Sequence, residues 1–249
     1  MTDFSFQLYS ARNFPPLEPN LQKLAALGYA EVEPYSGLFG DPKGLAAMVK
    51  GAGLTMPTAH IGLDMLKDTS KTIDTAGILG ITTIFCPAIS KEERSQSAAK
   101  WQELAVTLSA LGEAYGKAGL GFGWHNHDFE FVPTVEGRLP IEILLDEAPS
   151  LKWEMDVAWL VKGGQTPSAW FDRYGPRIVA IHVKDLAPAG KALDEDGWAD
   201  PGYGTLDWQA LYTAIKAKTA AKYFVMEHDN PTDIDRFMRR AIGTAQTWK

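Results

Sequence analysis

The 249-residue sequence predicts an α/β protein that folds as a (β/α)8 barrel, or TIM barrel, in a single domain over residues 1–249. Short β-type runs alternate with longer helical segments from one end of the chain to the other. Eight such repeats of about 31 residues give a length close to the ~250 residues typical of this fold. No Ser/Gly-rich linker, charge block or low-complexity segment marks a second domain.

The first half of the sequence supplies four of the predicted repeats. Strands are predicted over residues 4–10, 29–35, 54–60 and 81–87. A helix follows Pro15-Pro16 and ends before Gly28, and Asp41 caps a second helix that ends near residues 51–53. A third helix precedes Gly80. A long amphipathic helix over residues 93–118 has apolar residues at helical spacing, namely Leu104, Leu108, Leu111 and Tyr115.

The second half completes the pattern with strands over residues 120–125, 151–157, 177–183 and 222–227. Helices are predicted around residues 141–147, 166–174, 207–218 and 233–248. The competing architecture is an open doubly wound sheet. Such a sheet usually has a Gly-rich phosphate loop after its first strand, whereas this sequence reads YSARNFPP there.

Composition and charge narrow the classes of partner. The 24 Lys and Arg residues face 31 Asp and Glu residues, and the formal charge of −7 argues against nucleic acid binding. The single cysteine, Cys86, excludes an intrachain disulfide and is expected to be buried. Without an apolar run of ~18 residues or a signal-like N-terminus, we expect a cytoplasmic protein with no membrane segment. A homo-oligomer is compatible with the sequence, which leaves the oligomeric state open.

Polar residues gather where the predicted strands end, which is where barrels of this kind carry their active sites. All five histidines fall at strand C-termini, at positions 60, 125, 127, 182 and 228, together with Asp156 and Glu227. Imidazole and carboxylate ligands suit Mn, Co, Zn or Fe. We therefore predict one catalytic divalent metal ion, with Mn favoured.

Four of these strand ends resemble the motifs of the xylose-isomerase-like barrel superfamily. They read W-H-N-H, W-E-M-D-V, I-H-V-K-D and V-M-E-H, and residues 202–208 are similar to its Gly-x-Gly-x-hydrophobic-Asp-Trp turn. This superfamily holds sugar epimerases, inosose dehydratase, hydroxypyruvate isomerase and endonuclease IV. The resemblance implies metal ligation by Asp156, His182 and Glu227.

One position departs from the family pattern. Many members have Glu-x-His after the fifth strand, whereas this chain has His125-Asn126-His127. We therefore predict His125 as the fourth metal ligand, with His127 as the alternative. Glu130, five residues downstream of His125, is a third option for this ligand position.

The departure affects the predicted mechanism, because the family's epimerases are thought to use glutamates from two strands on opposite faces of the substrate. A metal-bound imidazole cannot easily replace one of them, since its second nitrogen normally donates a hydrogen bond. We expect one-base chemistry instead: the metal polarises an oxygen of a sugar, keto-sugar or cyclitol, and Glu227 accepts the proton beside the carbonyl. The prediction is a metal-dependent sugar isomerase/epimerase-type enzyme.

The alternative reading is a metal-dependent lyase or dehydratase on the same substrate class, either inosose dehydratase-like or eliminating from a 3-keto-glycoside. Elimination needs an acid near the leaving group, and the rim offers His60, His127 and Lys184. His60 could instead hold a backbone carbonyl, and Lys184 could simply pair with Asp185.

Substrate binding is assigned to one carboxylate and two aromatic side chains, Glu33, Trp124 and Trp159, although core packing is the alternative for each tryptophan. A free sugar or glycoside is preferred over a sugar phosphate, because no Arg/Lys cluster or Gly-rich turn forms a phosphate site. Two further classes are less favoured: endonuclease IV-like phosphodiester cleavage, which needs a metal cluster and a basic face, and a binding barrel without turnover.

Overall fold

Eight parallel strands surround the centre of the protein in a computed structural model that describes residues 3–94 and 96–248. The strands are β1 (Phe4–Gln7), β2 (Glu31–Glu33), β3 (Thr58–His60), β4 (Thr83–Cys86), β5 (Gly121–His125), β6 (Lys152–Asp156), β7 (Ile178–Val183) and β8 (Tyr223–Met226). They are hydrogen-bonded in the order β2-β1-β8-β7-β6-β5-β4-β3. Isolated parallel bridges join Glu31 to Thr55 and Tyr35 to His60, and so bring the two edge strands together. The sheet is a nearly closed barrel, and the open doubly wound sheet is excluded.

Helices connect the strands on the outside of the barrel. They are α1 (Leu17–Leu27), α2 (Pro42–Gly51), α3 (Leu63–Lys67), α4 (Thr69–Leu79), α5 (Ala98–Lys117), α6 (Pro140–Glu147), α7 (Val157–Lys162), α8 (Pro167–Tyr174), α9 (Trp208–Lys218) and α10 (Ile234–Ala245). Asp41 caps α2 by accepting from the N–H of Gly44, and Gly28 ends α1 with φ of 98°, as the sequence predicts. None of the described helices is long and apolar enough to cross a membrane.

Several boundaries differ from the sequence predictions. The first strand stops at Gln7, because its side chain accepts from the N–H of Tyr9 and starts a 3-10 turn over Leu8–Ala11. The helix predicted from residue 93 begins at Ala98 and follows a separate 3-10 turn over Lys91–Glu93. Ser95, within that predicted helix, lies outside the described residues, as do residues 1, 2 and 249 of the predicted domain.

Two short elements near the ends of β6 and β7 were not predicted. Helix α7 starts directly after β6, because the Asp156 carboxylate accepts from the N–H of Trp159 at 2.8 Å. A two-stranded antiparallel ribbon pairs Asp185–Leu186 with Trp198–Ala199 just beyond β7. Trp159 of α7 and Trp198 of the ribbon have ring centroids 4.5 Å apart, and both rings lie within about 5 Å of the Lys184 ammonium nitrogen.

The hydrophobic core fills the layer between the helices and the outer faces of the strands, and it includes Cys86, which is buried and free as predicted. Burial raises the pKa of that thiol to about 12. The barrel interior differs, because it carries a set of buried polar side chains that includes Gln7, Glu33, Glu154 and His182. A buried polar group is costly unless it is paired, so this interior must be explained by hydrogen bonds or by a bound ion.

Candidate active site

Parallel strands deliver their last residues to one end of the barrel, and the predicted metal ligands meet there. His125 ends β5, Asp156 ends β6, His182 is the penultimate residue of β7, and Glu227 follows β8. Each of the four offers a ligand atom, and these atoms all lie within 4.8 Å of one another. We call these four residues the mouth quartet. All four are buried, and Glu227, at 4%, is the most exposed.

A cavity of about 480 Å³ opens beside the mouth quartet. Its lining includes the histidines at positions 60, 125 and 127, the carboxylates Glu227 and Asp229, and the aromatic side chains Tyr9, Tyr35 and Trp159, with Arg12, Ser36, Gly62, Pro87 and Ala88 completing it. The Arg12 guanidinium stacks on the Tyr9 ring, 3.9 Å from its centroid, and donates to the backbone carbonyl of Asp229 at 2.6 Å. The lining of the cavity therefore combines charged, imidazole and aromatic side chains.

Lys184 is fully buried beside the mouth quartet. Its ammonium nitrogen lies 2.6 Å from Asp229, 3.1 Å from Glu227 and 3.7 Å from Asp156. Burial by itself would lower the pKa of Lys184, but these carboxylates outweigh burial and raise it. The structure therefore pairs Lys184 with Asp229 and Glu227 rather than with Asp185, the alternative that the sequence offered.

Asp185 has a different role, which explains the similarity of residues 202–208 to a family motif. Its carboxylate accepts from the backbone N–H groups of Leu186, Gly202, Gly204 and Leu206. The same turn brings the indole of Trp208 to the carbonyl of Lys184, which accepts from it at 3.2 Å. The motif thus fixes the backbone that carries Lys184.

Protonation states differ among the histidines of the site. Burial, helped by the nearby His182, lowers the pKa of His125 to about 3, so that this imidazole is neutral and can act as a metal ligand. Burial also lowers the pKa of His127 well below its usual value. For His182, burial is outweighed by the carboxylates of Glu154 and Glu227, which raise its pKa.

The carboxylates of the mouth quartet are also shifted. Burial raises the pKa of Asp156 to about 7. Burial acts the same way on Glu227, but the Lys184 ammonium and His182 outweigh it and hold the pKa of Glu227 well below its usual value. Glu227 is therefore ionised at neutral pH.

Glu154, which the sequence analysis missed, lies one layer deeper on β6. Its Oε2 atom is 2.5 Å from His60 Nε2, 3.1 Å from His125 Nδ1 and 3.2 Å from His182 Nε2. Glu154 and Asp156 are two residues apart on one strand and so point to the same side, which was the available sequence signal. His60 therefore contacts the Glu154 carboxylate. The alternative proposed for His60 from the sequence was a contact with a backbone carbonyl.

Glu33 and Trp124, predicted to bind substrate, are buried and do not line the cavity. Glu33 Oε1 lies 2.8 Å from His182 Nε2 and accepts from the Gln7 amide at 2.8 Å. Trp124 donates its indole N–H to Glu130 at 3.0 Å. Both side chains therefore support residues of the site from behind.

The three options for the ligand after β5 are placed differently. His125 belongs to the mouth quartet, whereas His127 lines the cavity with its ring 5.2 Å from that of Trp159. Glu130 accepts from the N–H of His127 at 2.9 Å, and burial raises its pKa to about 8. Among the described residues, Glu130 and His127 belong to no group of side chains placed to hold a metal. The fifth histidine, His228, is buried outside the cavity lining and accepts from the N–H of Asn230.

Comparison with known proteins places the chain in a family. The family model described as xylose isomerase-like TIM barrel matches residues 21–246, and the chain belongs to this family. The predicted fold and the predicted family are thereby confirmed.

Individual relatives are more distant. An inosose dehydratase of Klebsiella pneumoniae is 30% identical over 144 residues, which are 52% of this chain and 45% of that protein, so the match spans about half of each. A sugar phosphate isomerase/epimerase of Parabacteroides distasonis has a similar structure, with a TM-score of 0.81 and 20% identity over 99% of this chain and 96% of that one. The IolI protein, solved with a zinc atom, has a TM-score of 0.78 and 14% identity over 98% and 96% of the two chains. At such low identities these two structures show the shared fold alone.

Proposed function

We propose that the protein is a divalent-metal-dependent enzyme of the sugar isomerase/epimerase type. It removes a proton from the carbon beside a carbonyl group of a sugar, keto-sugar or cyclitol. The observation that carries this proposal is the position of Glu227, an ionised carboxylate that lines the cavity 2.9 Å from His182 and 3.1 Å from Lys184.

The donor set fits a divalent cation. The mouth quartet offers two imidazoles and two carboxylates, a combination that suits Zn, Fe, Co or Mn. Asp156 Oδ2 is buried and has no hydrogen-bond partner within residues 3–94 and 96–248, as expected of an atom that serves as a ligand. A cation bound there would act as a Lewis acid that acidifies the C–H bond beside a substrate carbonyl.

The residues of the chain have separate tasks in this proposal. Glu227 accepts the proton, and Lys184 keeps Glu227 ionised and in place. His127, neutral and on the cavity wall, exchanges a proton with a substrate oxygen. The Trp159 ring supplies an apolar surface for one face of the sugar.

A second candidate is elimination by the same proton abstraction, as in a lyase or dehydratase. The observation that favours it is the 30% identity to an inosose dehydratase over 144 residues. The acid required at the leaving group is available in His60 or His127, which line the cavity, or in Lys184 beside it.

Proton NMR in deuterated buffer distinguishes the two reactions over a panel of keto-sugars and inososes with added Mn²⁺ or Co²⁺. Exchange without loss of a substituent indicates isomerisation, whereas release of water or an aglycone indicates elimination. Glu227→Gln is expected to lower the exchange rate by about 10²–10⁴-fold. Glu103→Gln, an exposed glutamate on α5, is the matched control and should leave the rate unchanged. Exchange at the wild-type rate in Glu227→Gln contradicts the proposal.

A further inference from the structure

Arg12 brings a positive charge to the wall of the cavity. Among the described residues that line the cavity, it is the only arginine or lysine. Lys184 lies beside the cavity, but its ammonium group is already paired with Asp229 at 2.6 Å and with Glu227 at 3.1 Å. Arg12 is half-buried and forms no ion pair with any carboxylate in the described part of the chain. Its charge is therefore available to a ligand.

Contacts with the protein hold the Arg12 guanidinium but use only part of it. Nη1 donates to the backbone carbonyls of Tyr9 at 2.9 Å and of Asp229 at 2.6 Å. The plane is also fixed by the Tyr9 ring, whose centroid lies 3.9 Å from the guanidinium carbon. A guanidinium has five N–H donors, and these two bonds account for both of those on Nη1. Nε and Nη2 have no hydrogen-bond partner within residues 3–94 and 96–248.

The donors that remain on Arg12 match a carboxylate. Nε–H and one N–H of Nη2 run parallel in the guanidinium plane, at the spacing of the two carboxylate oxygens. Tyr35 lies next to this edge, since its ring is 5.2 Å from that of Tyr9. Burial raises the pKa of Tyr35 and the Arg12 charge opposes that rise, so the phenol lies in the field of the same guanidinium. Its hydroxyl can add a further hydrogen bond to an anion.

The barrel places Arg12 across the mouth from the wall that carries His127 and Trp159. Arg12 follows β1 and Tyr35 follows β2, whereas His127 follows β5 and Trp159 follows β6. In the strand order β2-β1-β8-β7-β6-β5-β4-β3 of a nearly closed barrel, β1 lies opposite β5 and β2 lies opposite β6. Glu227 follows β8, which is paired with β1. A substrate that spans the cavity therefore reaches Arg12 at the end away from Trp159.

We propose that Arg12 binds a carboxylate group of the substrate, which is then a carboxylated sugar, keto-sugar or cyclitol rather than a neutral one. A single guanidinium suits a carboxylate better than a phosphate, because phosphate sites usually combine several cationic side chains or a helix N-terminus. That this ligand loses a proton to Glu227 rests on the function proposed above. The carboxylate site at Arg12 does not.

Calorimetric titration of the full chain in the presence of Co²⁺ tests the proposal with probes that differ at one carbon. The probes are glucose, glucuronate and glucose 6-phosphate, together with the corresponding compounds of galactose and mannose. Wild type should bind at least one uronate about 10- to 100-fold more tightly than the matching hexose, as expected for hydrogen bonds to a charged group. The matching 6-phosphate should bind less tightly than the uronate. A chain that prefers none of the three uronates, or that prefers the 6-phosphates, overturns the proposal.

Variants of Arg12 separate anion binding from support of the backbone. Arg12→Met should bind the uronate and its hexose about equally, and Arg12→Lys, which keeps the charge without the paired donors, should retain only part of the preference. Arg94→Met is the matched control and should keep the wild-type preference. Arg94 also stacks on an aromatic ring, 3.8 Å from the centroid of Phe129, and donates to the carbonyl of Ile89, but it does not line the cavity.

The ratio of the two affinities decides the role of Arg12. If Arg12→Met and Arg12→Lys weaken both ligands and leave the ratio at its wild-type value, Arg12 only supports the backbone and the proposal is overturned. The wild-type preference is measured in either case, so the test does not depend on the folding of one variant. Proton exchange on neutral sugars without a preference for any uronate overturns this inference alone. A uronate held by Arg12 without proton exchange overturns the proposed function alone.

Discussion

Replacement of Lys184 by methionine tests whether the charges beside the cavity are arranged as the structure shows. The substitution keeps the apolar stem of a fully buried side chain and removes its ammonium group. Asp229 and Glu227, at 2.6 and 3.1 Å, then lose their cationic partner inside the barrel. Breaking a buried pair by removing one partner costs about 3–5 kcal/mol, a large part of the ~5–15 kcal/mol that stabilises a typical protein.

Urea denaturation followed by circular dichroism measures this loss. With a slope of ~3 kcal/mol per molar urea, a loss of ~4 kcal/mol lowers the midpoint by about 1.3 M. Lys218→Met is the matched control, because Lys218 pairs with Asp172 at 2.7 Å while both side chains are substantially exposed. That pair should contribute less than ~1 kcal/mol. If Lys184→Met lies within ~1 kcal/mol of wild type, the buried charge cluster is misassigned, and Lys184→Arg, which keeps the charge, should then show no advantage over it.

Three further outcomes are expected. Burial by itself would raise the pKa of Glu195, but its hydrogen bonds outweigh burial and lower the pKa to about 2. The stability that the Glu195 carboxylate gives to the fold is therefore complete above pH ~4.5 and is lost as the pH falls toward 2. Glu195→Gln should lower the thermal midpoint at pH 7 more than at pH 3.5. A Cβ at Gly204 would lie 2.2 Å from Asp185 Oδ1, so Gly204→Ala should cost about 1–3 kcal/mol in urea denaturation, whereas Gly243→Ala, in open space on α10, should add up to ~1 kcal/mol. Trp159→Leu should raise KM for the accepted sugar by about 2- to 13-fold, because an aromatic contact contributes ~0.5–1.5 kcal/mol, and should leave kcat largely unchanged.

Each of these three predictions would be contradicted by a specific result. An equal loss at both pH values for Glu195→Gln would mean that its carboxylate charge is not what stabilises the fold. Equal stabilities of the two glycine variants would mean that the turn does not depend on close approach to Asp185. A fall in kcat with unchanged KM would remove Trp159 from the binding wall.

The barrel was predictable because its signals are local. Strands alternate with helices along the sequence, and helix boundaries can be predicted from a few neighbouring residues. Asp41 marks the start of α2 in this way, and Gly28 marks the end of α1. The rule that parallel strands end on one side then assembled His125, Asp156, His182 and Glu227 without any contact being known. The order of strands and helices in the sequence predicts that the C-terminal ends of the strands carry the site. In the structure, the ligand atoms of these four residues lie within 4.8 Å of one another.

What the sequence could not supply were contacts between distant segments. Glu154 lies within strand β6 rather than at its end, and only the convergence of β3, β5 and β7 shows that three histidines meet it. The attachment of Lys184 to Asp229 depends likewise on the packing of β7 beside β8. The Trp124 assignment took aromatic character as a sign of sugar binding, whereas the buried indole supports Glu130.

Metal content is the most direct test of the account, because the mouth quartet needs His182 as a ligand. Equilibrium dialysis against Mn²⁺, Co²⁺ or Zn²⁺, followed by mass spectrometry of the bound metal, should find one ion per wild-type chain and per chain of His228→Ala, whose histidine lies outside the mouth quartet. Folded His182→Ala should retain none. A wild-type chain that binds no divalent ion, or a His182→Ala variant that binds one as tightly as wild type, contradicts the account.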